Sequence, residues 1–384
     1  MRKVNLVNAW RWGHNGGAMK LPGILLTLAT LAAACGGGTG SPSTSPTTAS
    51  PSSSGEPQAS ASPSGSPLPL EGGYGVLVTP TSEANYTVTL VGADAKVAAS
   101  AQATSPAKVT CGDATGAVLP FPVSTSNDRV YFVDAQGVIR FLTPSGQTGQ
   151  ATTVPIGAAR RSSFSVSPDD LRIAVVVSDY AASGASTSLY VEDLNGGTHH
   201  KVIFTESGAS GLWPIGWHGT SLVVAKVPAC ANGVGPGCCG PQELHVVDPA
   251  TAARRFTLGG PTCIIAGPPS AAGAVCETDA QANVLDWTAT TTRSFAVQGQ
   301  TPAYLSPNGN QAALDKGTAT NFLDTVVEGT HTTFTDLQTC GWIDSSRVLA
   351  TDRQGRPRVG DIATGGTAAV SAQGTCAGRI PGGL

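Results

Sequence analysis

The sequence predicts an all-β fold, a β-propeller of about seven four-stranded blades, and three observations lead to this prediction. From Gly73 onward, short β-rich runs alternate with turn signals. Similar phrases recur along this part of the chain at a mean spacing of roughly 40–50 residues, which is the period of propeller blades. Charged residues make up only 12% of the chain, while Val, Thr, Gly and Ala abound, and this composition favours strands and turns over helices.

The amino-terminal segment has the organisation of a signal peptide. Basic residues precede Leu21–Ala34, an apolar run of fourteen residues without a charge that ends in small residues. Because a membrane-spanning helix needs roughly 20 apolar residues, this run is too short for a permanent span. We therefore predict a signal peptide over residues 1–34, with Met19 as an alternative start.

The apolar run ends directly on a cysteine. The segment Leu31-Ala32-Ala33-Ala34-Cys35 resembles the lipobox of bacterial lipoproteins, although the leucine stands four residues before the cysteine rather than three. The resemblance implies cleavage before Cys35 and a lipid on its thiol, with about 0.8 kcal/mol of membrane affinity for each buried CH₂ group. It implies an extracytoplasmic protein anchored to the cell membrane or the outer membrane.

Residues 35–72 have the composition of a tether. After Cys35 they are almost entirely Gly, Ser, Thr, Pro and Ala, and only Glu56 and Glu71 are charged. Such a segment cannot bury enough apolar surface to offset its chain entropy, so we predict a disordered linker with a reach of roughly 30–36 Å. The folded domain is then expected over residues 73–384.

Recurring phrases define the strands and turns of this domain. Asp-x-Gln-(Gly/Ala) occurs between alternating apolar runs at Asp134, Asp279 and Asp352, and it predicts hairpins because type I turns favour Asp first and Gly fourth. Two further phrases each occur twice, a Ser-Pro-(Asp/Asn) turn between two strands and a Gly-Trp phrase at Gly216 and Gly341. Together they predict a unit of strand, Ser-Pro turn, strand, loop, strand, Asp turn and strand.

The phrases divide the domain into seven units, with six and eight as the alternative counts. The first unit is one strand short, and Ser371–Leu384 is expected to supply that strand and close the ring. The predicted units are Gly73–Pro106, Ala107–Ile156, Gly157–Phe204, Thr205–Leu258, Gly259–Val297, Gln298–Phe334 and Thr335–Val370.

Two of these units resemble a known repeat. The segments Ser167–Val176 and Ser306–Gly309 are similar to the repeat of TolB-like (WD-repeat-like) β-propellers, in which Ser-Pro-Asp-Gly precedes a β-run. Here Asp170 replaces the Gly of one repeat, and Asn308 replaces the Asp of the other. The resemblance implies a propeller, and the alternative fold is a tandem array of β-sandwich domains of about 100 residues each.

The chain contains nine cysteines, so eight remain if Cys35 carries a lipid, and an even number suits disulfides in an oxidising compartment. Their spacing favours Cys263 with Cys276 across one hairpin, and Cys230 with Cys238 or Cys239 across one loop. A zinc site is the rival interpretation, but no Cys-x-x-Cys pair and no histidine at ligand spacing from a cysteine supports it. We therefore predict no metal and no cofactor.

Charge and motifs exclude several classes of function. Residues 35–384 carry 18 basic and 25 acidic side chains, which leaves no basic stripe for nucleic acid. The sequence has no Gly-x-Ser-x-Gly elbow, no His-Glu-x-x-His, no phosphate loop and no EF-hand loop, so we predict no catalytic residues.

The remaining candidate is one face of the propeller. Second-to-third-strand loops and blade-joining segments emerge on the same side, where propellers of this family usually bind ligands. Two such loops look enlarged, Ser178–Ser188 and Pro228–Gln242. We take Arg160, Arg161, Tyr180 and Trp213 as the candidate ligand face, because an arginine pair and an exposed aromatic are typical of interfaces. In the alternative interpretation, the arginines are merely solvated and Trp213 belongs to the core.

Two functions follow as hypotheses. The first is a non-enzymatic, membrane-tethered binding or scaffold protein for envelope proteins or glycans. The second is a propeller enzyme, a hydrolase, lyase or cofactor-dependent dehydrogenase, with its site at the channel mouth. An enzyme would need a pocket in which at least three titratable groups converge.

Overall fold

A computed structural model describes residues 72–111, 115–182, 184–231, 241–298, 302–325 and 329–384. Within these ranges the chain forms thirty strands and no helix, so nothing helical there has the length and apolar character that crossing a membrane requires. Seven four-stranded antiparallel sheets confirm the predicted all-β propeller of seven blades, and the tandem-sandwich alternative is wrong. The predicted signal peptide, Cys35 and nearly all of the predicted tether lie outside the described residues.

The strands are numbered here in chain order. Blade 1 contains β1 (Tyr74–Pro80), β2 (Asn85–Gly92) and β3 (Val97–Thr104), and the connection after it carries β4 (Thr110–Cys111) and β5 (Thr115–Gly116). Blade 2 contains β6 (Val123–Thr125), β7 (Val130–Val133), β8 (Val138–Leu142) and β9 (Thr148–Thr153). Blade 3 contains β10 (Arg160–Val166), β11 (Arg172–Ala181), β12 (Gly184–Asp193) and β13 (Lys201–Gly208).

The remaining strands continue the same order. Blade 4 contains β14 (Ser210–His218), β15 (Ser221–Pro228), β16 (Glu243–Val247) and β17 (Arg254–Gly259). Blade 5 contains β18 (Ile264–Ile265), β19 (Ala274–Glu277), β20 (Gln281–Leu285) and β21 (Thr291–Ala296). Blade 6 contains β22 (Ala303–Leu305), β23 (Gln311–Asp315), β24 (Ala319–Asp324) and β25 (Thr330–Thr335). Blade 7 contains β26 (Leu337–Trp342), β27 (Arg347–Asp352), β28 (Pro357–Asp361) and β29 (Thr367–Ala369), and β30 (Thr375–Ile380) is the last strand.

The last strand closes the ring. β30 pairs antiparallel with β1, from Tyr74 opposite Ile380 to Val78 opposite Thr375, and so becomes the fourth strand of blade 1. This confirms that Ser371–Leu384 supplies the missing strand. Because the first and last strands share one sheet, the edge of β1 is paired rather than open.

The Ser-Pro turns owe their shape to one hydroxyl. Ser167 Oγ accepts the backbone N–H of Arg172 at 2.9 Å, and Ser306 Oγ accepts the backbone N–H of Gln311 at 2.9 Å. In each turn the residue three positions after the serine has a left-handed backbone, with φ of 59° at Asp170 and 74° at Gly309. Gly adopts that conformation without steric cost, which suits the Gly of the repeat that these two segments resemble.

The Asp-x-Gln phrases form hairpins, but with two geometries. Oδ1 of Asp134 and of Asp352 accepts the N–H groups two and four residues later at 2.9–3.0 Å. In the third phrase, Thr278 Oγ1 accepts the backbone N–H of Gln281 at 2.9 Å. Thr278 therefore has the hydrogen-bonding role that was expected of Asp279. The turn between β19 and β20 is shorter than the corresponding turns of blades 2 and 7.

The hydrophobic core is a ring of clusters between neighbouring blades. One cluster joins β1 and β2 to β7 and β8, and corresponding clusters lie between each following pair of blades round to blade 7 and blade 1. The repeated Gly-Trp phrase belongs to this packing. Trp217 Nε1 donates to the carbonyl oxygen of Ser165, and Trp342 Nε1 donates to that of Tyr304, each at 3.1 Å and each to the inner strand of the preceding blade.

Candidate functional site

The strand register separates two faces of the propeller. Arg160, the first residue of β10, lies opposite Asp179 near the end of β11, so blade-joining segments and second-to-third-strand loops share one side. We call this side the upper face, and the side with the Ser-Pro turns the lower face. The inner strands that surround the central channel run from the upper to the lower face.

The connection between blades 1 and 2 crosses the upper face. We call residues 105–122 the cap segment, of which 112–114 lie outside the described residues. The cap segment extends as far as blade 4. The backbone N–H of Val118 donates to the carbonyl oxygen of Ala229 at 2.9 Å, and the N–H of Ala231 donates to that of Gly116 at 2.9 Å. The cap segment is therefore paired with the end of β15 and the start of its following loop.

A disulfide fastens the cap segment to blade 4. Cys230 is bonded to Cys111, with their Cα atoms 5.9 Å apart, rather than to Cys238 or Cys239 as spacing along the chain suggested. The cap segment brings Cys111 to Cys230 although the two residues are 119 positions apart, which local spacing could not reveal. Cys238 and Cys239 lie outside the described residues.

Two other disulfides complete the described set. Cys263 is bonded to Cys276, as predicted, with a Cα–Cα distance of 5.2 Å. Cys340 of β26 is bonded to Cys376 of β30, so this bond links blade 7 to the closing strand of blade 1. All three bonds are consistent with an oxidising, extracytoplasmic compartment.

The four candidate residues of the ligand face take different positions. Arg160 is half-exposed and forms a two-pronged ion pair with Asp179, at 2.7 and 2.9 Å. Arg161 is only 4% exposed, and its guanidinium donates to the carbonyl oxygens of Gly157, Arg160 and, in the cap segment, Ala107. Burial lowers the pKa of Arg161.

The two aromatic candidates also pack beneath the cap segment. Tyr180 packs against a cluster that contains Val109 and the disulfide, and burial raises its pKa. Trp213 is 9% exposed, and its Nε1 donates to the carbonyl oxygen of Val118 at 3.2 Å. The interpretation of Trp213 as an exposed interface residue is therefore wrong, because the cap segment covers its ring.

The cap segment itself presents two apolar side chains that sequence reasoning missed. Leu119 and Phe121 are 38% and 43% exposed, in a stretch where prolines follow each of them. A large apolar residue between prolines could have marked this stretch, because proline stiffens the backbone and leaves few local contacts to cover the side chain.

One of the two loops expected to be enlarged is a pair of long strands. β11 continues to Ala181 and β12 begins at Gly184, so most of Ser178–Ser188 is paired in register. A hydrogen bond of 3.2 Å joins the hydroxyl groups of Ser178 and Thr187 across this hairpin. In Pro228–Gln242, the structure describes only the two ends.

The central channel contains a cavity of about 210 Å³ towards the lower face. Its wall is mostly apolar and includes Pro214, Pro268, Tyr304 and Trp342, with the guanidinium-bearing Arg379 from β30. After β30, the chain crosses the lower end of the channel. The N–H of residue 382 donates to blade 2 at 2.6 Å, and that of residue 384 donates to blade 4 at 2.7 Å.

A cluster of four ionisable groups lies between blades 2 and 3 near the lower face. Arg129 forms a two-pronged pair with Asp128 at 2.9 and 3.0 Å, and its Nε lies 3.2 Å from Asp170 Oδ2. Tyr131 Oη donates to Asp170 Oδ1 at 2.9 Å. Burial raises the pKa of Asp170 to about 6, whereas the hydrogen bond from Arg129 lowers the pKa of Asp128.

The two carboxyl groups of this cluster therefore lie in different environments, one with a raised and one with a lowered pKa. None of its four side chains is among those that line the channel cavity. Across the described ranges, no group of three His, Cys, Asp or Glu side chains is placed to hold a metal ion.

Fold and faces together define a seven-bladed, disulfide-bonded β-propeller with a capped upper face. Neither a protein-family model nor a curated protein matches the sequence. A chain in the crystal structure of the mitotic checkpoint complex is 13% identical, covering 72% of this chain and 83% of that chain, with a TM-score of 0.44. The dihydro-heme d1 dehydrogenase NirN in complex with DHE is 14% identical, covering 84% of this chain and 77% of that chain, with a TM-score of 0.46. Such distant likeness says nothing about what this chain binds.

Proposed function

We propose that this chain is a membrane-anchored extracytoplasmic lipoprotein whose TolB-like propeller is a non-catalytic binding module for envelope proteins or glycans, with a protein as the favoured partner. The lipobox-like segment before Cys35 and the linker that follows support the anchor, and the disulfides suit the compartment. Residues 1–34 are then the signal peptide, 35–72 the lipidated tether and 73–384 the binding domain.

The observation that carries the binding role is the cap segment. A disulfide, backbone pairing with blade 4 and the buried Arg161 hold it on the upper face, and it presents Leu119 and Phe121 to solvent. Exposed aromatic and aliphatic side chains on a rigid support lose little entropy on binding, so they suit the anchor positions of a protein interface. The half-exposed Arg160 lies on the same face and adds a charged group to its rim.

Site-specific photo-crosslinking in cells tests the role of the cap segment. A photoreactive phenylalanine analogue replaces Phe121 in one variant and, as a matched control, Phe256 of β17 in another, since these rings are 43% and 40% exposed. We expect a discrete protein adduct from position 121 only. Equal adducts from both positions, or none from position 121, would contradict a protein partner, and specific glycan binding would then favour the glycan alternative.

Mass spectrometry of the membrane-extracted chain tests the anchor separately. We expect an amino-terminal peptide that begins at Cys35 and carries an acyl mass. An unprocessed amino terminus with a free thiol at this position would contradict the lipoprotein assignment without touching the binding role of the upper face.

A propeller enzyme is the second candidate, and the cluster of Asp128, Arg129, Tyr131 and Asp170 favours it by its chemistry, although none of these side chains lines the channel cavity. Two carboxyl groups in different environments can divide acid and base roles between them. Model esters and glycans test this function in the wild type and in Asp170→Asn. Saturable turnover that falls at least a hundredfold in the variant would establish an enzyme, and turnover absent from both proteins would reject it.

A further inference from the structure

The central channel holds a cation that the described part of the chain leaves without an ion-pair partner. Arg379 lies near the end of β30 and is one of the residues that line the cavity. Arg379 is partly buried, and this burial lowers its pKa. An arginine remains protonated in a protein, so its charge stays in the channel wall.

The carboxylate whose charge acts on Arg379 is already engaged elsewhere. The negative charge of Asp344, in the turn between β26 and β27, raises the pKa of Arg379 but offsets only part of the lowering by burial. Asp344 Oδ1 accepts the backbone N–H groups of Ser346 and Arg347 at 2.8 Å each, and its Oδ2 pairs with Arg347 Nη1 at 3.1 Å. Asp344 therefore stabilises its own turn, and the hydrogen-bond donors of Arg379 remain available.

The cavity beside this cation is small, and its wall is more apolar than polar. Its volume of about 210 Å³ is below the roughly 300–1,000 Å³ of pockets for drug-sized ligands. A cavity of about 150 Å³ can hold a benzene ring, so a single ring with one polar group is compatible with this volume. The residues that line the same cavity also include Pro268, Pro269, Tyr304 and Trp342.

We propose that the central channel is a binding site for a small organic carboxylate, independent of the upper face. The carboxylate pairs with the guanidinium of Arg379, whose fork of N–H donors matches its two oxygens. The apolar body of the ligand packs against the proline and aromatic side chains of the wall. One carboxylate neutralises one guanidinium, whereas inorganic phosphate would bring a second, uncompensated charge into an apolar cavity.

Isothermal titration calorimetry of the full chain tests this site with benzoate as the probe. We expect a dissociation constant of about 1 mM, a reasonable affinity for a ligand of this size. Benzyl alcohol, which has the same ring without the charge, should bind at least tenfold more weakly, and so should inorganic phosphate. Failure to detect benzoate binding at 20 mM, or equal binding of benzyl alcohol, would overturn the proposal.

Two arginine variants locate the charge. Arg379→Met should weaken benzoate binding at least tenfold, whereas Arg358→Met should not change it, because Arg358 of β28 lies outside the channel wall. Arg379→Lys keeps the charge without the fork and should bind with intermediate affinity. Equal benzoate binding by the wild type, Arg379→Met and Arg379→Lys would overturn the assignment.

Thermal unfolding separates a binding role of Arg379 from a structural one. Because Arg379 is partly buried and has no ion-pair partner among the described residues, Arg379→Met should unfold at the same temperature as the wild type or higher. Benzoate at 10 mM should raise the unfolding temperature of the wild type and not that of Arg379→Met. A variant that unfolds at a lower temperature, yet is stabilised by benzoate as strongly as the wild type, would show that Arg379 has only a structural role.

Discussion

Removal of the disulfide between Cys340 and Cys376 should weaken the closure of the ring by a predictable amount. The bond joins β26 of blade 7 to β30 of blade 1, and its cysteines are 36 residues apart. A crosslink that closes a loop of this length restricts the unfolded chain by about 3.8 kcal/mol at 25 °C. We expect the double variant Cys340→Ala/Cys376→Ala to lose about that much free energy of unfolding.

The chain offers a matched control within a single blade. Cys263 and Cys276 are 13 residues apart, and the same relation predicts a loss of about 2.9 kcal/mol for their double alanine variant. The ring-closing pair should therefore cost about 0.9 kcal/mol more than the control pair.

Urea denaturation followed by tryptophan fluorescence measures both losses by linear extrapolation. The wild type and the two double variants are compared without reductant, so that the remaining disulfides stay intact. The reasoning would be refuted if the ring-closing variant lost less free energy than the single-blade variant, or if neither lost more than about 1 kcal/mol. A loss well above 5 kcal/mol would instead indicate that closure itself fails.

Three other perturbations test the packing and the ionisable cluster. Burial raises the pKa of Asp170 to about 6, so the folded state binds the proton of this carboxyl group more tightly than the unfolded chain does. The stability gained from that proton is fully present below about pH 4 and is lost as pH rises through 6. Urea denaturation at pH 5 and pH 8 should therefore show a smaller loss of stability for Asp170→Asn than for the wild type, by about 1 kcal/mol. Trp342→Phe removes the hydrogen bond to the carbonyl oxygen of Tyr304 and should cost about 1–3 kcal/mol in the same assay, and an unchanged midpoint would contradict the role of the indole N–H. Gly360→Ala would place a Cβ 2.5 Å from the ring of Phe334 and should lower the unfolding free energy by about 1–3 kcal/mol by overpacking, whereas a neutral result in calorimetry would show that the ring can move.

Much of the fold could be predicted because its signals are local. The Ser-Pro turns depend on a serine hydroxyl and on a left-handed residue three positions later, and both are readable within a few letters. The missing strand of the first unit could be assigned to the end of the chain because a ring of blades leaves no other place for it. The turn at Thr278 was harder to predict, because both Thr278 and Asp279 can accept the hydrogen bonds of the turn. Which of the two residues accepts them sets the length of the hairpin.

The candidate site was less predictable because it depends on contacts between distant segments. Arg161 and Trp213 look like interface residues in the sequence, yet the cap segment covers both. Nothing near Cys230 in the sequence indicates Cys111 as its partner. Leu119 and Phe121 have no distinguishing period, and although the prolines beside them mark the stretch, only the folded chain shows that the two side chains are exposed.

The sequence by itself determined the repeated architecture: strands of alternating pattern, turns with specific residues, a blade-length period and a closing strand. Turn chemistry and side-chain alternation act within about ten residues, so they can be recognised in the sequence without knowledge of the fold. Only the tertiary structure decided the two long-range disulfides, the burial of the candidate residues and the place of Arg379 beside the channel cavity. Those outcomes depend on how a long connection crosses the ring and on how seven inner strands meet around one channel. Both bring together residues that are tens to hundreds of positions apart in the chain.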